Sequence, residues 1–208
     1  ETDKSDSHGI QADGIDAQKR LYRLRSWEGI TSPRESLRRA LLWAIDLGAG
    51  HGGVETDQGG DTWKSVYREA WQSLVDEGLV PKGSKRPGFR SAKAGAGHGP
   101  KVERAQRMLA DYERGNITHV LGDHAVLEKA LRRFPVREPH DMVDSSYWAW
   151  VDLRGKYLTG ILRKSLSGGR KPKPAITVLA PSQTNASEGA VYRQMEQETD
   201  ARRLAAIG

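Results

Sequence analysis

The chain has 208 residues, with 33 Lys+Arg against 27 Asp+Glu, a formal net charge of +6, 37% apolar residues and no cysteine. No apolar run approaches the ~18 residues of a membrane span or resembles the core of a secretory leader. The missing thiols exclude a disulfide scaffold, a thiol nucleophile, a cysteine zinc site and a thiolate-held iron–sulfur cluster.

Residues 1–14 are polar and glycine-punctuated and read as a flexible tail. Ile15, Leu21, Leu24 and Trp27 suggest a short helix over 15–27. Ser32-Pro33-Arg34-Glu35 forms a capping-box pattern, with proline at a first helical position where its missing N–H costs nothing. It predicts a helix to Leu47 that buries Leu37, Leu41, Trp43 and Ala44. Gly48 to Gly60 reads as a long loop. It lacks the Gly-Lys-Ser/Thr ending and the preceding strand of a phosphate loop. Asp61 is a candidate cap for a helix over Thr62–Glu77, in which Trp63, Val66, Tyr67, Ala70, Trp71, Leu74 and Val75 recur at spacings of three and four.

Gly78 opens a basic, glycine- and proline-rich stretch that reads as an extended arm, with Phe89 either stacking on a base or pinning the arm to the protein. Pro100 starts a helix to about Arg114, closed by Gly115. The short segment Ile117–Leu121 leads to a helix capped by Asp123 and stopped by Pro135; this pair is a weak helix-turn-helix signal. Asp144 or Ser145 is the candidate cap of the longest helix, 146–165. Ala175–Leu179 is the one β-like run, and 188–208 reads as a sparse docking helix. The fold class expected is mainly α: a small bundle of about five to six helices with extended basic Gly/Pro-rich arms and at most one short strand. The organisation expected is a tail (1–14), a helical domain (15–166, basic arm 79–101 inserted), a basic strap and linker (167–187), and a C-terminal docking helix (188–208).

The placement of charge says more than its sum. Residues 79–101 carry six cations and no acid, and 154–174 carry seven and no acid; the other 164 residues therefore carry −7. Closely spaced cations displace condensed counterions from phosphates, so these segments point to a polyanion. The nucleic-acid-binding candidates are Lys82, Lys85, Arg86, Arg90, Lys93, Arg163, Lys164, Arg170, Lys171 and Lys173.

The chemistry-bearing residues form no recognisable motif. His119 and His124 are five apart, not the four that aligns two ligands on one helical face. His140-Asp141 with nearby Asp144 is the most compact polar group, and a capped loop also explains it. Asp123, Glu128, Glu138 and Asp141 are carboxylates a nuclease site would draw on, yet their spacing does not require convergence. No serine sits in a Gly-x-Ser-x-Gly elbow. No catalytic residue, metal ligand or cofactor is assigned at this level.

The function expected is a nucleic-acid-associated structural or assembly protein that holds RNA or DNA phosphates through two arms, without turnover. Such a composition suits viral, phage or ribonucleoprotein particles. An interaction subunit of a larger assembly is the first alternative; a carboxylate-site enzyme acting on nucleic acid is the second. Self-association or docking of other subunits is expected through helix 146–165 and the C-terminal helix, with no membrane partner and an intracellular or virion-interior location.

Overall fold

A computed structural model describes residues 7–56, 62–92, 100–120, 122, 124–137, 140–164 and 175–180, with backbone alone for 155–164 and 175–180. In chain order the elements are β1 (His8–Ile15), β2 (Leu21–Gly29), α1 (Pro33–Asp46), β3 (His51–Glu55), α2 (Thr62–Asp76), β4 (Gly88–Ala92), α3 (Lys101–Glu113), β5 (Ile117–His119), α4 (Ala125–Arg133), α5 (Asp141–Lys164) and β6 (Ala175–Ala180). The strands form one mixed sheet of order β4-β3-β6-β1-β2-β5. Antiparallel pairs join β1 to β2 and β1 to β6, while β6–β3, β3–β4 and β2–β5 are parallel.

The expectation of a mainly α, all-helical bundle with at most one short strand is overturned. The tail expected over 1–14 contains most of β1, and the helix expected over 15–27 is largely β2. β3 lies inside the glycine loop, β4 inside the basic arm, and β5 before the short helix. Only β6 coincides with the strand read from sequence, and it is a central strand rather than an edge. The helices were legible because their apolar residues repeat at 3.6. The strands were not, because their second face is polar or glycine rather than apolar.

Helices cover both sides of the sheet. α1 and α2 close one side over Ile10, Ala12, Leu37, Leu41, Val54, Trp63, Tyr67 and Leu74. Each such fully buried Leu contributes on the order of 1.5–3 kcal/mol. α3 and α5 close the other over Leu21, Met108, Ile117, Val143, Tyr147, Trp148 and Leu153. α1 begins as its sequence requires: the Ser32 hydroxyl accepts from the Glu35 amide at 3.2 Å. The Glu35 carboxylate pairs with Arg38. Among the described residues no helix is long and apolar enough to cross a membrane.

Strand alternation puts Ile10 and Ala12 against α1 and α2, so Gln11 and Asp13 face α5. There Asp13 pairs with Arg23 of β2, both side chains fully buried, beside the bulge between Ala12 and Asp13. Arg23 also donates to Tyr112 Oη at 3.0 Å and to the Ser146 carbonyl at 3.1 Å, and its Nη2 lies 2.9 Å from Met108 Sδ. Gln11 Nε2 donates to Asp13 Oδ1 at 2.6 Å, and Ser26 Oγ donates to Gln11 Oε1 at 2.8 Å. Burial pushes Asp13 up to about 6 even though Arg23 and Gln11 pull it down.

Removing one partner of a buried pair strands the other, at about 3–5 kcal/mol. Arg23→Ala is therefore expected to lower the unfolding free energy by that amount in urea titrations at pH 7.

Candidate active site

Strand β3 ends in Glu55, and β4 and β6 run parallel to it, so their C-terminal ends share one rim of the sheet. β1 runs opposite and brings its N-terminus to that rim, where α5 also begins. Open sheets place their ligand crevices at such C-terminal ends, next to a change in strand direction.

Gly9 makes this arrangement possible. A Cβ there would sit 2.8 Å from Met142 Cα and 2.9 Å from the Asp141 carbonyl oxygen, so the first turn of α5 rests directly on the β1 backbone. That contact brings Asp144 beside Glu55 and Asp141 to the same rim beside Glu28. The helix begins at Asp141, earlier than the cap expected at Asp144 or Ser145. The Ser145 and Ser146 hydroxyls instead donate to the Met142 carbonyl at 3.1 and 2.8 Å.

Arg104 of α3 reaches between the two acids. Its Nη2 lies 2.6 Å from Asp144 Oδ1 and donates to Oδ2 at 2.6 Å, and it also donates to Glu55 Oε1 at 3.3 Å. Asp144 Oδ1 is buried and finds no hydrogen-bond donor, and neither does Arg104 Nε find an acceptor. The Arg104 guanidinium is held 5.1 Å from the Trp148 ring centroid. Lys101 Nζ stands 3.3 Å from Asp141 Oδ1 and 3.6 Å from Asp144 Oδ2. Ser7 Oγ lies 3.3 Å from Asp141 Oδ2 and 3.5 Å from Glu28 Oε1, which brings a fourth carboxylate to the rim.

Charge crowding shows in the protonation of these groups. Burial and the neighbouring Asp144 charge push Glu55 up to about 7, against the pull of Arg104, and the two carboxyls are close enough to share a hydrogen bond. Burial, with Asp141 adding to it, also raises Glu28. Burial alone would lower Lys101, but Asp144 and Asp141 outweigh it and hold its proton more tightly. One carboxyl poised near neutrality beside a second carboxyl and two basic side chains is a reactive arrangement. Among the described residues no three His, Asp or Glu side chains are arranged to hold a metal ion by themselves.

The candidates read from sequence are scattered. Lys82, Lys85 and Arg86 are exposed on the loop that enters β4. Arg90 lies on β4 and pairs with Asp152. Phe89 turns inward and packs edge-on against Tyr67, with ring centroids 5.1 Å apart. Arg163 and Lys164 end α5, and their side chains lie outside the description. Lys93, Arg170, Lys171 and Lys173 lie outside the described residues, as do the strap and linker and the docking helix expected over 188–208. Within α5, whose residues 146–165 were expected as an interface, Met142, Val143, Tyr147, Trp148, Ala149 and Leu153 lie in this chain's own core.

Of the four carboxylates a nuclease site would draw on, Glu128 pairs with His119 and Asp141 with Lys101, while 123 and 138 fall outside the described residues. His119 and His124 do approach, at 4.9 Å between centroids, as part of the polar network around Tyr112 and Ser26. Reading the sequence missed Glu55 and Arg104. The signal for Glu55 was a carboxylate closing a short run just before glycines and a helical pattern in the sequence. Compared with known proteins, the chain matches no family model, no curated protein and no solved structure.

Two outcomes follow from this geometry. Gly9→Ala forces a backbone clash, for which about 1–3 kcal/mol of destabilisation is expected in thermal or urea unfolding. Glu55 holds its proton more tightly folded than unfolded, so its stabilising contribution is complete below about pH 4.5 and lost as pH rises through about 7. Glu55→Gln is therefore expected to flatten the fall in melting temperature between pH 5 and 8. The difference from wild type isolates this group from Asp13, which titrates in the same direction.

Proposed function

We propose that the protein hydrolyses phosphodiester bonds in nucleic acid with the help of a divalent cation that the Glu55 and Asp144 carboxylates would hold at the rim, beside Arg104. The observation that carries this reading is the carboxylate pair itself, bridged by Arg104, in which burial and the Asp144 charge push Glu55 up to about 7 against the pull of Arg104. A divalent cation held by the two carboxylates would offset their mutual repulsion. Mg²⁺ in particular binds through one or two carboxylates and completes its shell with water and substrate phosphates, so a third protein ligand is not required.

When bound, such an ion polarises the phosphoryl oxygen and lowers the pKa of the attacking water. The chain's own residues do the rest. Arg104 fixes the Asp144 carboxylate and presents positive charge where the phosphoryl group gains negative charge. Lys101 holds Asp141 and Asp144 on one side and offers a second cation to the substrate. The polyanion assignment rests on the acid-free basic stretch 79–101, whose middle forms β4, next to the strand that ends in Glu55. Backbone contacts of this kind position a substrate and do not read its bases.

This reading retains the phosphate binding expected from the charge pattern and adds turnover, which the acid pair favours. The test is incubation of labelled single- and double-stranded DNA and RNA with the protein in Mg²⁺, Mn²⁺ or EDTA. Cleavage is expected with metal only. Glu55→Gln and Asp144→Asn are each expected to reduce it by about 10²–10⁴-fold while binding in EDTA persists. Binding without metal-dependent cleavage by the wild type would return the protein to a purely structural role.

A further inference from the structure

We propose that Arg90, His51 and Asp152 form a second station that grips a backbone phosphate about one strand length from the Glu55–Asp144 pair. The station takes its ligand class from the nucleic-acid reading above.

The register of the sheet sets the two stations in line. His51 opens β3 and Glu55 closes it, four residues apart on the same face, which is about 13 Å of strand. Arg90 shares this face on β4, where it pairs with Gly53, midway between them. On the helix above, Asp144 and Asp152 are eight residues apart, about 12 Å along the axis. Strand and helix run oppositely here, so each acid of α5 meets one end of β3: Asp144 at Glu55, Asp152 at His51.

The chemistry of the second station differs from the first. Each oxygen of Asp152 has a partner: Oδ2 lies 2.5 Å from His51 Nε2 and Oδ1 accepts from Arg90 Nη1 at 2.6 Å. Arg90 comes from the edge strand β4 and His51 from β3 beside it. Arg90 is the exposed member, with 41% of its side chain accessible against 16% for Asp152 and 12% for His51. Its Nε and Nη2 make no hydrogen bond within the described protein. A guanidinium pinned by one nitrogen, with its other donors turned to solvent, has already lost the rotamer freedom that binding would otherwise cost. It also has the planar fork that suits a phosphate.

The surroundings favour an anionic polymer over an isolated anion. Lys82, Lys85 and Arg86 stand exposed just before β4, and no acid occurs between Leu79 and Lys101. The chain from this loop through Arg90 therefore supplies only cations, and Asp152, held by Arg90 and His51, is contributed by α5. At about 3.4 Å per nucleotide along a duplex strand, 12–13 Å spans about four nucleotides. Asp152 acts as a positioning residue, and Arg90 is the contact.

The test is fluorescence anisotropy of a labelled 20-nucleotide strand and its duplex in EDTA, where no turnover intervenes, across a series of salt concentrations. Wild type is compared with Arg90→Gln, Arg90→Lys and Arg132→Gln, an exposed cation on α4 removed as a control for net charge. Arg90→Gln is expected to weaken binding about 5- to 20-fold and to reduce the salt slope by about 0.7–0.9. Arg90→Lys is expected to recover part of the loss, and Arg132→Gln to change affinity less than twofold. Melting temperatures of all variants confirm that they are folded. If Arg90→Gln binds no worse than Arg132→Gln, the second station is overturned while the cleavage reading stands. If the wild type binds neither nucleic acid at low salt, both fail. If binding depends on Arg90 but the wild type never cleaves with metal, this station survives and the catalytic reading falls.

Discussion

The pairing of Arg23 with Asp13 is the constraint from which the rest of the structure follows. It spans the β1–β2 bulge, and the same guanidinium holds Tyr112 and Met108 of α3 and the Ser146 carbonyl of α5. Two helices and two strands are thus referred to one buried cation. α3 carries Arg104 and α5 carries Asp144, so the groups that meet Glu55 are positioned from the interior of the protein and not from its loops. A hydrophobic replacement could match the pair in stability, since desolvating two charges cancels much of their attraction. It would not specify where α3 and α5 sit with the same directional bonds.

How far the sequence could be read depended on what each element buries. Leu37, Leu41 and Ala44, or Tyr67, Ala70 and Leu74, repeat with a helical period because their helices bury one apolar stripe. The capping serine was equally legible, since Ser32 acts through neighbours in the chain. β1 was hidden because its two faces bury different chemistry: Ile10 and Ala12 on one, Gln11 and Asp13 on the other, with Gly9 kept small for a helix backbone. β3 was hidden by Gly52 and Gly53, which in isolation signal a loop and become strand only when β4 and β6 pair on either side. Pairing of this kind is a property of distant segments and leaves little trace in any local window.

The site was legible only in part for the same reason. Asp141 and Asp144 stood out beside His140, but the structure gives His140 to a ring contact with Phe134. Their working neighbours are Glu55, 89 positions before Asp144, and Arg104 on a helix whose apolar stripe drew attention elsewhere. Charge segregation was read correctly as a pattern, yet the pattern does not reveal that Arg90 is held by a carboxylate while Lys82, Lys85 and Arg86 stand free in solvent. Basic residues of one segment thus divide into a pinned donor and an exposed approach.

The position of β6 has a consequence for how the chain assembles. β3 and β4 form one parallel pair, and β1, β2 and β5 form another ribbon; β6 alone joins them, bonded to β3 on one side and β1 on the other. Of the described strands it is also the last to be synthesised. Until it arrives, both halves present an open edge whose N–H and C=O groups are available to any other extended chain. The reactive rim, which draws Glu55 from one half and the Gly9-seated helix from the other, therefore comes under a single sheet only when residue 180 has been made. A chain interrupted before residue 175 would be left with two sticky half-sheets and no common floor beneath the acid pair.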